Sequence, residues 1–198
     1  LCLGVAALSG CRTVPETGRS QLNFMPDETL ASMSSSAFAQ MKDEVGVSED
    51  PELNAQLNRV STRIVEEAIE EGASLPPVEE WEFVVFEEDD TINAFAMPGG
   101  KVGVYTGMFE LFENDDDLAV VVAHEVAHVV AEHGNERVSQ QIGFAGIGMA
   151  LALGTQGMDE DLRRAVLLGY NLGGQFGVLL PYSRTHESEA DYIGLLYM

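Results

Sequence analysis

Basic side chains are scarce in this chain of 198 residues: 10 Lys plus Arg stand against 33 Asp plus Glu, for a formal net charge of −23. Nucleic-acid binding needs clustered cations to neutralise phosphates, and no such cluster exists, which excludes that class of partner. Cysteine is nearly missing too. Cys2 and Cys11 both fall at the very start, so the rest of the chain cannot be a disulfide scaffold. Internal repeats and low-complexity tracts are absent. What is present is 45% hydrophobic residues, enough to bury the core of one ordinary domain. The acids are spread along the chain (Glu66 to Glu71, Glu87 to Asp90, Asp115 to Asp117, Asp159 to Asp161) rather than gathered in a tail. They describe a solvated, self-repelling surface of a kind that suits a salty environment.

Leu1 to Leu8 are apolar or small and lead directly into Leu8-Ser9-Gly10-Cys11. This is the pattern of a secretory signal, too short to span a bilayer, and with Met and a basic region missing its front is expected to be truncated. A cysteine directly after Leu-Ser-Gly resembles the bacterial lipobox. That resemblance implies a mature protein beginning at Cys11 and anchored to a membrane by acyl chains. Arg12 in place of an acid then favours the outer membrane. Residues 1–10 are thus expected to be signal, 11–25 a lipid-anchored polar tether, and 26–198 the folded domain.

Pro26-Asp27-Glu28 predicts the opening of a helix that reaches about Val45. Asp50-Pro51-Glu52 supplies an N-cap, a proline at the first helical position and an acid in the first turn. Leu53, Leu57, Val60 and Ile64 follow at helical spacing, and Gly72 is the expected stop. Pro76-Pro77 breaks the chain, and the pattern turns to strands at Trp81–Phe86, Thr91–Ala96 and Lys101–Tyr105. The last two are joined by Met97-Pro98-Gly99-Gly100, a strong turn signal. A small antiparallel sheet between helical regions is expected, in an α+β fold dominated by helices. Residues 141–157, rich in Gly, Ala and Leu, predict a buried or lid-like helix.

Between Asp117 and Gly134 lies the segment that carries the chemistry. Asn114 to Asp117 supply a cap and dipole-matched acids, and Gly134 is the expected stop. Within this valine-rich helix sit His124, Glu125 and His128. Positions 124 and 128 stack one above the other on a helix, so both imidazoles can face one ion. Glu125 is rotated by about 100° and can reach a water on that ion. A catalytic zinc takes three protein ligands and leaves one position for water. Ala131 and Gly134 exclude the metzincin pattern, which needs Gly and His there. His133 is turned off the ligand face and is expected to be a surface or packing histidine. The remaining candidates lie in Ser183–Asp191, where Glu187 and Asp191 are spaced i, i+4. One can ligate zinc while the other accepts the N–H of a ligating histidine. His186 is a rival ligand, and Glu189 points away and is expected to be solvated.

HEVAH, followed later by SRTHESEAD, resembles the CAAX prenyl protease and HtpX-type zinc metallopeptidases, and is most similar to their soluble bacterial lipoprotein members. Thr17-Gly-Arg-Ser-Gln-Leu, Asn93-Ala-Phe-Ala-Met-Pro-Gly-Gly and Val104-Tyr-Thr-Gly agree as well, so the resemblance covers nearly the whole mature chain. It implies a zincin-type fold and a gluzincin site with one Zn2+, in which Glu187 is the third ligand and Asp191 orients a histidine. It also implies that Asn93, Ala94, Phe95 and Ala96 form an edge strand where substrate backbone can add. Family members continue past the position of Met198, where a His or Arg steadies the oxyanion. The function so implied is a zinc-dependent endopeptidase acting on unfolded or damaged envelope proteins, in protein quality control on the periplasmic face of the outer membrane. A zinc-stabilised chaperone or assembly factor that binds such proteins without cleaving them is the alternative.

Overall fold

A computed structural model describes residues 11–75, 80–174 and 180–198. The apolar run Leu1–Leu8 and the Pro76-Pro77 break lie outside the described residues.

Local chemistry sets the first helices. The helix α1 runs Asp27–Val45, and α2 runs Pro51–Glu70 with Gly72 beyond it at a φ of 93°. The Asp50 carboxylate accepts from the backbone N–H of Glu52 at 2.8 Å and of Leu53 at 3.3 Å, satisfying two orphan donors of α2. Buried Leu57, Val60, Ile64 and Val65 turn one face of α2 to the core.

Two further elements precede α1, and they correct the expected tether. Strands β1 (Cys11–Thr13) and β2 (Ser20–Leu22) form an antiparallel hairpin, closed by a turn in which Gly18 takes a φ of 70°. Val14, Gln21 and Asn23 are buried. The segment is docked rather than free, because its few polar and basic side chains find partners on later helices.

Three more strands, β3 (Glu82–Phe86), β4 (Ala94–Met97) and β5 (Lys101–Tyr105), make one sheet in the order β3-β5-β4. The sheet is mixed, not antiparallel throughout: β4 pairs with β5 antiparallel, and β3 pairs with β5 parallel. After β3 the chain doubles back one strand-width away to form β4. The turn at Met97–Gly100, with Gly99 and Gly100 both at positive φ, then threads β5 through the gap. The result leaves β4 at an edge.

A short helix α3 (Thr106–Phe109) leads to α4 (Asp115–Val130), capped by Asn114, whose Oδ1 accepts from the Asp116 N–H at 2.8 Å. Leu118, Val122, Ala123, Val126, Ala127 and Val130 are buried, so α4 is the central beam of the core, between α2 and α7 (Leu180–Gly194). It stops at Val130, earlier than expected, because Glu132 takes the left-handed conformation at a φ of 53°. That costs an L residue roughly 1–2 kcal/mol. The cost is offset by Arg12, at 2.8 Å, and Asn23, at 2.6 Å, which donate to its carboxylate.

Gly134 therefore does not end α4 but sits in the first turn of α5 (His133–Gly154). A Cβ there would lie 2.9 Å from the ring of Pro98, so glycine allows the sheet's turn to approach. The Gly- and Ala-rich part of α5 is not buried. Ile142, Ile147, Met149 and Leu153 are exposed, and α5 pairs with α6 (Glu160–Gly174) through stacked Phe144 and Tyr170 rings 4.4 Å apart. Among the described residues no helix is long and apolar enough to cross a membrane.

Candidate metal centre

His124, Glu125 and His128 all lie on α4, on the side that the valine face leaves toward a cleft. One turn separates the two imidazoles, and their Nε2 atoms are 3.1 Å apart. The third group comes from α7, where the Glu187 carboxylate oxygen lies 3.3 Å from His124 Nε2 and 3.8 Å from His128 Nε2. The helices can bring these groups together because α7 crosses α4 closely at Gly194. A Cβ there would meet the backbone of Ala123 and His124 at 3.1 Å.

The donor atoms of His124, His128 and Glu187 lie within 4.8 Å of one another. A tetrahedral zinc, with bonds of about 2.0–2.1 Å to N and O, separates its ligands by about 3.3 Å. The observed spacings match three corners of such a site. Two imidazole lone pairs and a carboxylate aimed at one point repel each other unless a cation lies between them. The N, N, O donor set is one that zinc accepts.

Both imidazoles are oriented from behind. His124 Nδ1 lies 2.9 Å from Asp191 Oδ1 and donates to it, so Nε2 keeps its lone pair for a metal. For His128 the support is longer. His128 Nδ1 lies 2.8 Å from His133 Nδ1, and His133 Nε2 lies 2.9 Å from Glu189 Oε2. A carboxylate can only accept, so His133 donates from Nε2 to Glu189, accepts at Nδ1 from His128, and leaves His128 Nε2 as the free lone pair. Burial, with the nearby charge of His124, lowers the His128 pKa well below the usual imidazole value, and burial does the same for His133. Neutral rings are what this chain of hydrogen bonds, and a metal ligand, require.

His133 is thus a fully buried link to His128 rather than a surface group, and Glu189 is buried rather than solvated. His186, the rival ligand, is not among the converging donors. Its Nε2 lies 2.8 Å from Glu136 Oε2, and its ring stacks on His133 with centroids 4.3 Å apart. All four histidines of the chain lie in this one cluster.

Glu125 stands beside the convergence point. Burial raises its pKa above the ordinary carboxylate range; His124 and a backbone hydrogen bond from Ala96 oppose this, while the Glu187 charge adds to it. Two clefts of about 640 Å³ and about 600 Å³ meet here, and both are lined by Asn93, Ala94, His124 and Glu125. Asn93 precedes β4, and Ala94, Phe95 and Ala96 lie on it, so the edge strand borders the cleft past the site.

Residues 51–198 match the description of peptidase family M48. The chain belongs to that family. Among curated relatives, the mitochondrial metalloendopeptidase OMA1 of Schizosaccharomyces pombe is 33% identical over 98% of this chain and 54% of its own length. The mitochondrial metalloendopeptidase OMA1 of Bos taurus is 30% identical over 91% of this chain and 35% of its own. The beta-barrel assembly-enhancing protease of Escherichia coli is 27% identical over 92% and 37% respectively. The chain therefore spans about half the length of such relatives, or less.

Proposed function

We propose that this M48 chain is a zinc-dependent endopeptidase of the soluble bacterial lipoprotein branch, holding one Zn2+ through His124, His128 and Glu187. The single observation that carries the proposal is the convergence of those three donors beside a half-buried Glu125. Zinc bound there supplies a Lewis acid that acidifies water and polarises a peptide carbonyl. Glu125 takes the proton of the attacking water on its carboxylate and delivers it to the departing amine nitrogen. A raised carboxylate pKa suits both halves of that transfer. The β4 edge borders the cleft, and an extended substrate adds beside Asn93–Ala96 with its scissile bond near Glu125.

The substrates in this reading are unfolded or damaged proteins of the cell envelope, consistent with relatives named as an assembly-enhancing protease and as mitochondrial metalloendopeptidases. An edge strand recognises backbone, which a folded protein hides and an unfolded one offers. Cys11 is exposed at the outer end of the hairpin, in keeping with acyl chains there that tether the domain to the periplasmic face of the outer membrane.

The test is hydrolysis of an unfolded model protein by the zinc-loaded chain and by its Glu125→Gln variant. The variant is expected to bind zinc as the parent does and to lose at least about 100-fold in turnover. Equal hydrolysis by both removes Glu125 from its role. Binding without cleavage by the zinc-loaded parent favours a chaperone instead. Metabolic acyl labelling that survives Cys11→Ser overturns the anchor.

A further inference from the structure

We propose that Arg19, in the N-terminal hairpin, is a positioning residue for the metal site that holds His128 in its ligating orientation through Glu189 and His133. The inference rests on the zinc reading above and extends it to a part of the chain that precedes residues 51–198, where the family description matches.

A line of direct contacts runs from the hairpin to the metal ligand. Arg19 Nε lies 2.7 Å from Glu189 Oε2, that oxygen lies 2.9 Å from His133 Nε2, and His133 Nδ1 lies 2.8 Å from His128 Nδ1. Thr17, two residues earlier, donates from its hydroxyl to the other Glu189 oxygen. The same guanidinium sends a second branch. Arg19 Nη1 lies 2.8 Å from Glu136 Oε2, which accepts from His186, and the His186 ring stacks on His133 at an interplanar angle of 19°. One arginine therefore controls both the hydrogen bond that fixes the His133 tautomer and the ring that fixes its plane.

The energetics favour this role over a simple clasp. The side chains of Glu136 and Glu189 are only 2% and 5% exposed, and among the described residues Arg19 is the only arginine or lysine paired with either. Buried carboxylates deprived of a cation relieve the cost by swinging toward water. Glu189 would then leave His133 without an acceptor, and His128 would lose its support. Arg12 supplies the internal comparison. It ties the same hairpin to Asp27 and Glu132 and is not part of the histidine chain.

The experiment compares zinc affinity, by competition with a chromogenic chelator, and the visible spectrum of the cobalt-loaded chain, for the parent, Arg19→Ala, Arg19→Lys and Arg12→Ala. Arg19→Ala is expected to weaken zinc binding about tenfold and to alter the cobalt ligand-field bands. Arg19→Lys, a point charge that cannot grip both carboxylates, falls between it and the parent. Arg12→Ala keeps the parent affinity and spectrum. Parent-like affinity and spectrum in Arg19→Ala overturn the inference, as does an equal loss in Arg12→Ala. Should Arg19→Ala fail to fold, Arg19→Lys decides, and its equality with the parent overturns the inference. A parent that binds no zinc overturns the metal reading itself, an outcome distinct from zinc bound equally well by parent and Arg19 variants.

Discussion

The two imidazoles that face one point are supported in opposite ways. His124 leans on Asp191, whose side chain is 72% exposed, across a single hydrogen bond at the rim of the cleft. His128 leans on His133, Glu189 and Arg19, a series sunk behind the site, in which the side chains of His133 and Glu189 are 1% and 5% exposed. In water an ion pair competes with solvent and contributes little, whereas a buried charge that loses its partner is costly. The rim support can therefore affect the orientation of His124 without affecting the fold. The buried support cannot be disturbed without disturbing both.

Glu189→Ala is expected to have the largest effect on stability. It leaves Arg19 short of one carboxylate and His133 without an acceptor inside the protein, at about 3 kcal/mol, read as a fall in the urea midpoint. A cost below about 1 kcal/mol would erase the contrast with the rim. The buried side is also the acid-sensitive side. Burial alone would raise the pKa of Glu136 and Glu189, but His186 and Arg19 hold the first below the ordinary glutamate range, and His133, Thr17 and Arg19 hold the second there. A depressed folded-state value means that the stability is present above the unfolded glutamate pKa of about 4.3 and is lost as pH falls through and below it. Urea midpoints measured from about pH 6 downward should show that decline, with a shallower acid limb in Arg19→Ala; identical limbs would separate Arg19 from these carboxylates.

Gly194→Ala acts between the two sides. Its Cβ would press on the backbone at Ala123 and His124, move α7 away from α4, and cost roughly 1–3 kcal/mol along with zinc affinity. Unchanged zinc affinity would show that the helix crossing does not set the ligand spacing. Asp191→Ala is the smallest change for the fold, within about 0.5 kcal/mol by urea denaturation. Zinc affinity should still fall about tenfold or more by chelator competition, because His124 loses the partner that fixes its tautomer.

The site was legible where neighbours in sequence are neighbours in space. His124, Glu125 and His128 lie within two turns of one helix, and Glu187 and Asp191 lie one turn apart on another, so spacing grouped each set, while the resemblance told Glu187 from Asp191. The docking of the hairpin escaped notice although Thr17–Leu22 carried part of the resemblance, because a segment with Pro15, Gly18 and polar side chains has the composition of a tether until partners for Arg12, Arg19 and Asn23 appear. His133 and Glu189 were misread for the same reason. A helical angle says which way a side chain leaves its own helix, not whether another element waits there.

From the sequence alone came the helix boundaries that caps enforce, such as Asp50-Pro51 and Asn114, together with the two groups, on α4 and α7, that converge at His124, His128 and Glu187. These depend on hydrogen bonds and dipoles within a few residues, and they hold wherever the helix lies. The tertiary structure alone decided the parallel pairing of β3 with β5, the left-handed stop at Glu132, and the buried path from Arg19 to His128. Each depends on groups far apart in the chain, and a buried charge becomes stable only when the fold supplies its counter-charge.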